Sequence, residues 1–179
     1  MDPVADAIGS LDLDAFMREA LIEADLAGKA GELPVGAVVV IDGEVVSRGR
    51  ARHNEARSQL CHAELNALLA GGERLWRDYC RAVLFTTLEP CPMCLGAAVM
   101  ADVPHVVFAM HDPVVYSQET IEANPYVRRH LKTYLGDVLA EESMSLFRRY
   151  APRALEYILA GGRPAQDGFR IGAPIKDEV

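Results

Sequence analysis

Between residues 12 and 30 apolar positions recur at three- and four-residue steps: Leu13, Phe16, Met17, Ala20, Leu21 and Ala24. That spacing predicts an amphipathic helix, with Asp12 or Asp14 as its cap and Gly28 and Gly31 at its end. The period then changes. "VGAVVVI" (35–41) is a continuous apolar run that predicts a buried strand, Asp42-Gly43 a tight turn, and "EVVSRG" (44–49) the returning arm of a hairpin. Residues 50–61 are polar and irregular. Helical spacing resumes from Ala63 to Leu69 and stops at Gly71-Gly72. "AVLFTTL" (82–88) predicts a third strand and "HVVFAM" (105–110) a fourth. Between them "PMCLGAAVMA" (92–101) predicts a short helix with Pro92 in its first turn, a favoured place for proline.

The order strand, helix, strand, helix, strand predicts parallel neighbours joined by crossover helices. Residues 111–134 predict a loop and then one or two helices, with a short strand near "YLGDVLA" (134–140). "EESMSLFRRYAPRALEYILA" (141–160) predicts a helix broken at Pro152, and residues 161–179 a tail or lid. No repeat and no linker divides the chain, so residues 1–179 are expected to form a single domain.

Composition agrees with that expectation: half of the 179 residues are hydrophobic, enough to build one core. The formal net charge of −8 makes a broad basic field for nucleic acid unexpected, and Arg128-Arg129 and Arg148-Arg149 read as solvated helix faces. The acidic start "MDPVADAIGSLDLD" does not resemble a secretory leader, and the longest apolar stretch is split by Asp102 and Pro104, so no membrane span is expected. The four cysteines, Cys61, Cys80, Cys91 and Cys94, read as thiols or ligands of a cytoplasmic protein, with Cys61 and Cys80 as small buried residues.

The candidate chemistry lies in two short segments, "CHAE" (61–64) and "PCPMC" (90–94). Taken alone, the C-x-x-C pair fits a redox motif or half of a structural zinc site. A redox pair has no need of a nearby His-x-Glu, and a closed zinc site needs a fourth ligand at a matched spacing. His62, Cys91 and Cys94 are three good ligands, which leave one tetrahedral position open, as in a catalytic zinc site. Both segments begin helices, whose N-terminal field stabilises thiolate. Residues two apart do not share a helix face, so His62 is expected at or just before the first turn, with Glu64 inside it. Zinc would lower the pKa of a water in the open position to about 7, and Glu64 would carry its proton to the substrate. H-x-E followed by P-C-x-x-C is the signature of zinc deaminases that act on cytosine or adenine.

On these motifs the chain resembles the cytidine-deaminase-like superfamily over roughly residues 12–150. "REALIEADLAGKAGELPVGAVVV" resembles the first helix and strand of tRNA adenosine deaminases, and "HAE" and "EPCPMCLGA" the metal motifs shared with guanine and cytosine deaminases. The resemblance implies an α/β fold of three α/β/α layers around a five-stranded mixed sheet, usually as a homodimer. It also implies one Zn2+ per chain on His62, Cys91 and Cys94, with Glu64 as proton shuttle. One departure stands out. Relatives carry a base-reading asparagine ahead of the metal histidine, where this chain has Ala51, and Asn54 is the nearest substitute. Val35, Ala63 and Leu88 match pocket-lining places, His111 and Asp112 fall where relatives place substrate loops, and Phe169 is a candidate lid residue.

The acidic charge and the altered loop together favour deamination of a free base or related amino-heterocycle such as cytosine, guanine or a triazine, with nucleic acid an unexpected partner. The alternatives are a tRNA adenosine deaminase, favoured by "GELPVGAVVV" and the two arginine pairs, and a non-catalytic zinc-stabilised partner subunit.

Overall fold

A computed structural model describes residues 6–162. Its strands are β1 (Gly36–Ile41), β2 (Glu44–Arg50), β3 (Ala82–Leu88), β4 (His105–Met110) and β5 (Thr133–Leu135). They form one mixed sheet in the order β2-β1-β3-β4-β5. The helices are α1 (Asp6–Gly9), α2 (Leu13–Lys29), α3 (His53–Ala56), α4 (Ala63–Ala70), α5 (Gly72–Asp78), α6 (Pro92–Met100), α7 (Ser117–Ala123), α8 (Pro125–His130), α9 (Ala140–Tyr150) and α10 (Pro152–Leu159). Among the described residues no helix is long and apolar enough to cross a membrane.

The local rules behind these elements are visible. Asp12 caps α2, its Oδ1 accepting from the Ala15 N–H at 3.0 Å. Asp42 and Gly43 both adopt positive φ, +55° and +78°, the backbone a two-residue hairpin turn requires. The hairpin also changes the predicted strand pairing. β1 lies between β2 and β3 and is antiparallel to both, so the connection through α4 and α5 steps over β1 instead of joining neighbours. Parallel pairing, as expected from the alternation of strands and helices, holds for β3-β4 and β4-β5.

α4 ends at Ala70 with Gly71 as its cap, as the Gly71-Gly72 pair predicts, but no loop follows. Gly72 takes φ +49° and the chain restarts at once as α5. Pro152 does break the last helical segment, separating α9 from α10.

Each strand of the centre buries both faces, and the alternation sorts them. Val38, Val40, Val83, Phe85 and Val107 pack with Met17 and Ala20 of α2. Ala37, Val39, Ile41, Leu84 and Val106 pack with Ala63 and Ala67 of α4 and Ala98 of α6. The layers approach closely at two glycines. A Cβ on Gly36 would fall 2.2 Å from the Ala20 carbonyl oxygen, and one on Gly49 would fall 2.3 Å from both the Ala63 carbonyl oxygen and the Ala67 nitrogen. Gly49 therefore lets α4 lie directly on β2, where the Ser47 hydroxyl also donates to the Ala67 carbonyl at 2.7 Å. The start of α4 is fixed against the sheet by these contacts.

Candidate active site

Two helix N-termini meet over the ends of β1 and β3. His62 is the residue before α4, with extended backbone (φ −72°, ψ 155°), and Cys91 holds the same place before α6 (φ −65°, ψ 165°). Pro92 follows at the first helical position, where its missing N–H costs nothing. Cys94 is one turn in and fully buried. The extended backbone at position 62 explains how residues two apart converge: His62 is outside the helix while Glu64 is in its first turn. The Ser117 hydroxyl donates to the Pro90 carbonyl at 2.6 Å and pins the turn that leads into Cys91.

The donor atoms of His62, Cys91 and Cys94 all lie within 4.8 Å of one another. Cys91 Sγ is 3.7 Å from His62 Nδ1. A tetrahedral zinc with ordinary Zn–S and Zn–N bonds holds such a pair about 3.6 Å apart. The donor set and the Cys91–His62 spacing thus fit zinc. Glu64 supplies a second sign: it is 3% exposed, and its Oε2 has no hydrogen-bond partner within the protein. A buried carboxylate oxygen left unpaired is costly, and this one lies in the wall of the cavity with His62 and Cys91.

The electrostatics follow from burial and these contacts. The Cys94 thiol and the His62 ring hold Cys91 down at about 4, so it is ready as thiolate. The same bond to Cys91, and burial, push Cys94 up. His62 is raised, first by Cys91 and then by other neighbours that include the Gln59 backbone. Burial raises Glu64, the kind of perturbation found at functional carboxylates. Burial lowers His53, and neighbouring His62 lowers it further.

A cavity of about 490 Å3 opens in front of this cluster. Val35, Ala63, Leu88 and Asp112, all candidates from the sequence, line it beside His62, Glu64 and Cys91. Two other candidates do not. The Asn54 side chain donates to the Gly31 carbonyl at 3.0 Å and its backbone N–H to Glu32, so it faces away and does not replace the missing asparagine. His111 is 57% exposed and lies outside the lining, between Glu89 and Asp137 at 3.4 Å each. Phe169, with the proposed lid, lies outside the described residues.

Sequence reasoning missed several lining residues. Ala51 presents only a methyl group, while His53 and Gln59 from the irregular loop face the cavity. The loop is tied from below: Glu32, buried, accepts from the Asn54 and Glu55 N–H groups at 3.0 and 2.8 Å, and Asn66 holds the Arg50 carbonyl at 2.8 Å. Glu89, within the quoted "EPC", also lines the cavity. It is already engaged, accepting from the Asp112 N–H and the Tyr134 hydroxyl, both at 2.9 Å. Burial and neighbouring Glu89 raise Asp112 to about 6. Phe147 of α9 and Tyr157 and Ile158 of α10 complete the wall. Cys61 is half-buried and Cys80 exposed, so neither is the small core residue expected of it.

The comparisons agree with this geometry. The model of the cytidine and deoxycytidylate deaminase zinc-binding region matches residues 11–110. The tRNA-specific adenosine deaminase of Bacillus subtilis (strain 168) is 41% identical over 102 residues, which are 56% of this chain and 63% of that protein. The tRNA(Ile)-lysidine synthase of Deinococcus radiodurans is 48% identical over 103 residues, but only 18% of its length is covered. The chain therefore spans less than two thirds of either relative. A structure from studies of A-to-I editing by tRNA:A34 deaminases superposes with a TM-score of 0.65 at 33% identity, covering 74% of this chain and 98% of that one. A guanine deaminase from Nitrosomonas europaea, 20% identical with a TM-score of 0.63 over 84% of this chain and 93% of its own, shares the fold.

Proposed function

The chain belongs to the cytidine and deoxycytidylate deaminase zinc-binding family, and from that premise we propose that it is a zinc-dependent hydrolytic deaminase of adenosine in tRNA. For the chemistry, the observation that carries this is the unpartnered Glu64 oxygen buried beside three zinc ligands. For the substrate, it is the likeness to tRNA adenosine deaminases at 33 and 41% identity.

The expectation of a free-base substrate, with nucleic acid an unexpected partner, is corrected by those same relatives. The reason lies in what the net charge averages. A total of −8 describes the whole surface, whereas a phosphate backbone needs only one basic strip. Arg128, Arg129 and His130 stand together in the last turn of α8, and Arg148 and Arg149 in the last turn of α9.

His62, Cys91 and Cys94 would hold the zinc, which when bound supplies an activated water. Glu64 would accept one proton from the attacking water and deliver it to the ring nitrogen beside the reacting carbon, then take up the proton of the hydroxyl left on that carbon and pass it to the departing amine. Burial raises its carboxyl, which favours holding the proton between transfers. Leu88, Val35 and Ala63 shape an apolar slot for a flat ring, which must leave the anticodon stack to enter.

The test is inosine formation by zinc-loaded protein on an anticodon stem-loop with adenosine at the wobble position. Adenine, guanine, cytosine and their nucleosides are assayed beside it. Turnover of the stem-loop that declines steeply with salt supports the reading. Turnover of a free base alone, insensitive to salt, refutes it.

A further inference from the structure

The residues of the cavity divide by what already occupies their polar atoms. Both Glu89 oxygens accept hydrogen bonds within the protein. One Asp112 oxygen accepts from the Val114 N–H at 2.9 Å. Glu64 and the three zinc ligands belong to the chemistry. Ala51 offers no polar atom. His53 remains. Its ring stands edge-on to that of His62, with centroids 4.9 Å apart, so it flanks the metal centre directly. The hydrogen bonds that fix its loop are made by backbone at positions 53–55 and by the Asn54 amide, and the imidazole is turned to the cavity.

The reaction sets where a base must lie. The amine-bearing carbon faces the metal, and the ring nitrogen that receives the proton faces Glu64. In adenine these are C6 and N1. The atom on the other side of the amine is N7, an acceptor. His53, its ring packed against that of His62, is a polar side chain at the metal centre outside the groups that do the chemistry. An imidazole carries an N–H donor in either charge state.

We propose that His53 reads the base by donating a hydrogen bond to the acceptor nitrogen beside the reacting amine, N7 of adenine. This deepens the tRNA adenosine reading and rests on it. His53 comes from a sequence position different from that of the absent asparagine, and the loop clamped by Glu32 presents it.

Two stem-loops test this, one with adenosine and one with 7-deazaadenosine at the wobble position. They are compared for kcat/KM and for Kd with wild type, His53→Ala and His53→Gln, all checked for zinc content. In wild type the 7-deaza substrate is expected to lose about three- to tenfold, the effect of one net hydrogen bond. His53→Ala is expected to lose the same factor on adenosine and nothing more on 7-deazaadenosine. His53→Gln, which keeps a donor, recovers part of the loss. A 7-deaza penalty that persists undiminished in His53→Ala overturns the proposal, as does its absence from wild type. Loss of zinc in His53→Ala also overturns it, because the residue would then serve the metal site. A wild type with full zinc that turns over neither stem-loop refutes the tRNA reading itself, which separates the two failures.

Discussion

Gly49 offers a direct test of how the sheet positions the chemistry. An added Cβ would stand 2.3 Å from the Ala63 carbonyl oxygen and from the Ala67 nitrogen, both backbone atoms of α4. Ordinary carbon contacts begin near 3.5 Å, so Gly49→Ala requires α4 to withdraw by about 1 Å. Overpacking of this kind costs about 1–3 kcal/mol, which for a chain of this size lowers Tm by roughly 2–12 °C. The withdrawal also carries His62 and Glu64, at the start of α4, away from Cys91 and Cys94. A misplacement of about 1 Å in a catalytic group is enough for a 100-fold loss of rate. Gly96, in the middle of α6, has nothing within 4 Å of an added Cβ. Gly96→Ala is the control, expected to gain about 0.5–1 kcal/mol from helix propensity. The assay combines thermal unfolding, zinc content and single-turnover rate on the zinc-loaded protein. Gly49→Ala with the Tm, zinc content and rate of wild type would refute the reasoning that this close approach holds the site together.

Other predictions follow from the same geometry. Glu64→Gln keeps the shape of the side chain and removes the proton carrier, so turnover should fall at least about 10²–10⁴-fold while metal analysis still finds one zinc per chain. Loss of the metal would show that Glu64 is a ligand. Asp112 titrates near 6 in the fold, above its ordinary 3.8, because burial and Glu89 disfavour its charge. Its ionisation therefore costs the folded protein nothing below pH 3.8, progressively more up to pH 6, and a constant amount above, roughly 3 kcal/mol at most. Asp112→Asn should flatten that loss, which denaturant titrations between pH 4 and 7 would show as a smaller fall in stability than in wild type. Chelation should lower Tm, and added zinc should restore it in proportion to the logarithm of its free concentration. An unchanged Tm would mean that the three ligands hold no metal in the folded chain.

The parts legible in the sequence were those governed by local rules. His62, Glu64, Cys91 and Cys94 stand at helix starts, where the flanking residues fix both spacing and backbone shape. The hairpin turn at Asp42-Gly43 and the proline break at 152 are equally local. Less legible was whatever depends on distant neighbours. Alternation of strand and helix suggested parallel neighbours, but the hairpin inserts β1 between β2 and β3. The Gly-Gly pair does stop α4, but the immediate restart at Gly72 had no local signal and goes with the burial of Leu75 against the core. The loop of residues 50–61 has no period to read, so His53 and Gln59 gave no signal. The inward turn at His53 depends on Glu32, which lies on the other side of the hairpin in sequence. Phe147 and Tyr157 reach the cavity from the last helices, and only the tertiary fold brings them there.

The wall supplied by α9 and α10 separates admission from chemistry. Every residue that would bind metal or move a proton lies between positions 62 and 94, within the stretch matched by the family model. Phe147, Tyr157 and Ile158 come from beyond it. Substitutions in the last two helices can therefore reshape the cavity wall without replacing any group that binds metal or moves a proton. For protein engineering this makes α10 a natural place to randomise: a library there would sort substrates by size and shape, with the zinc content of each variant as an independent check on its integrity.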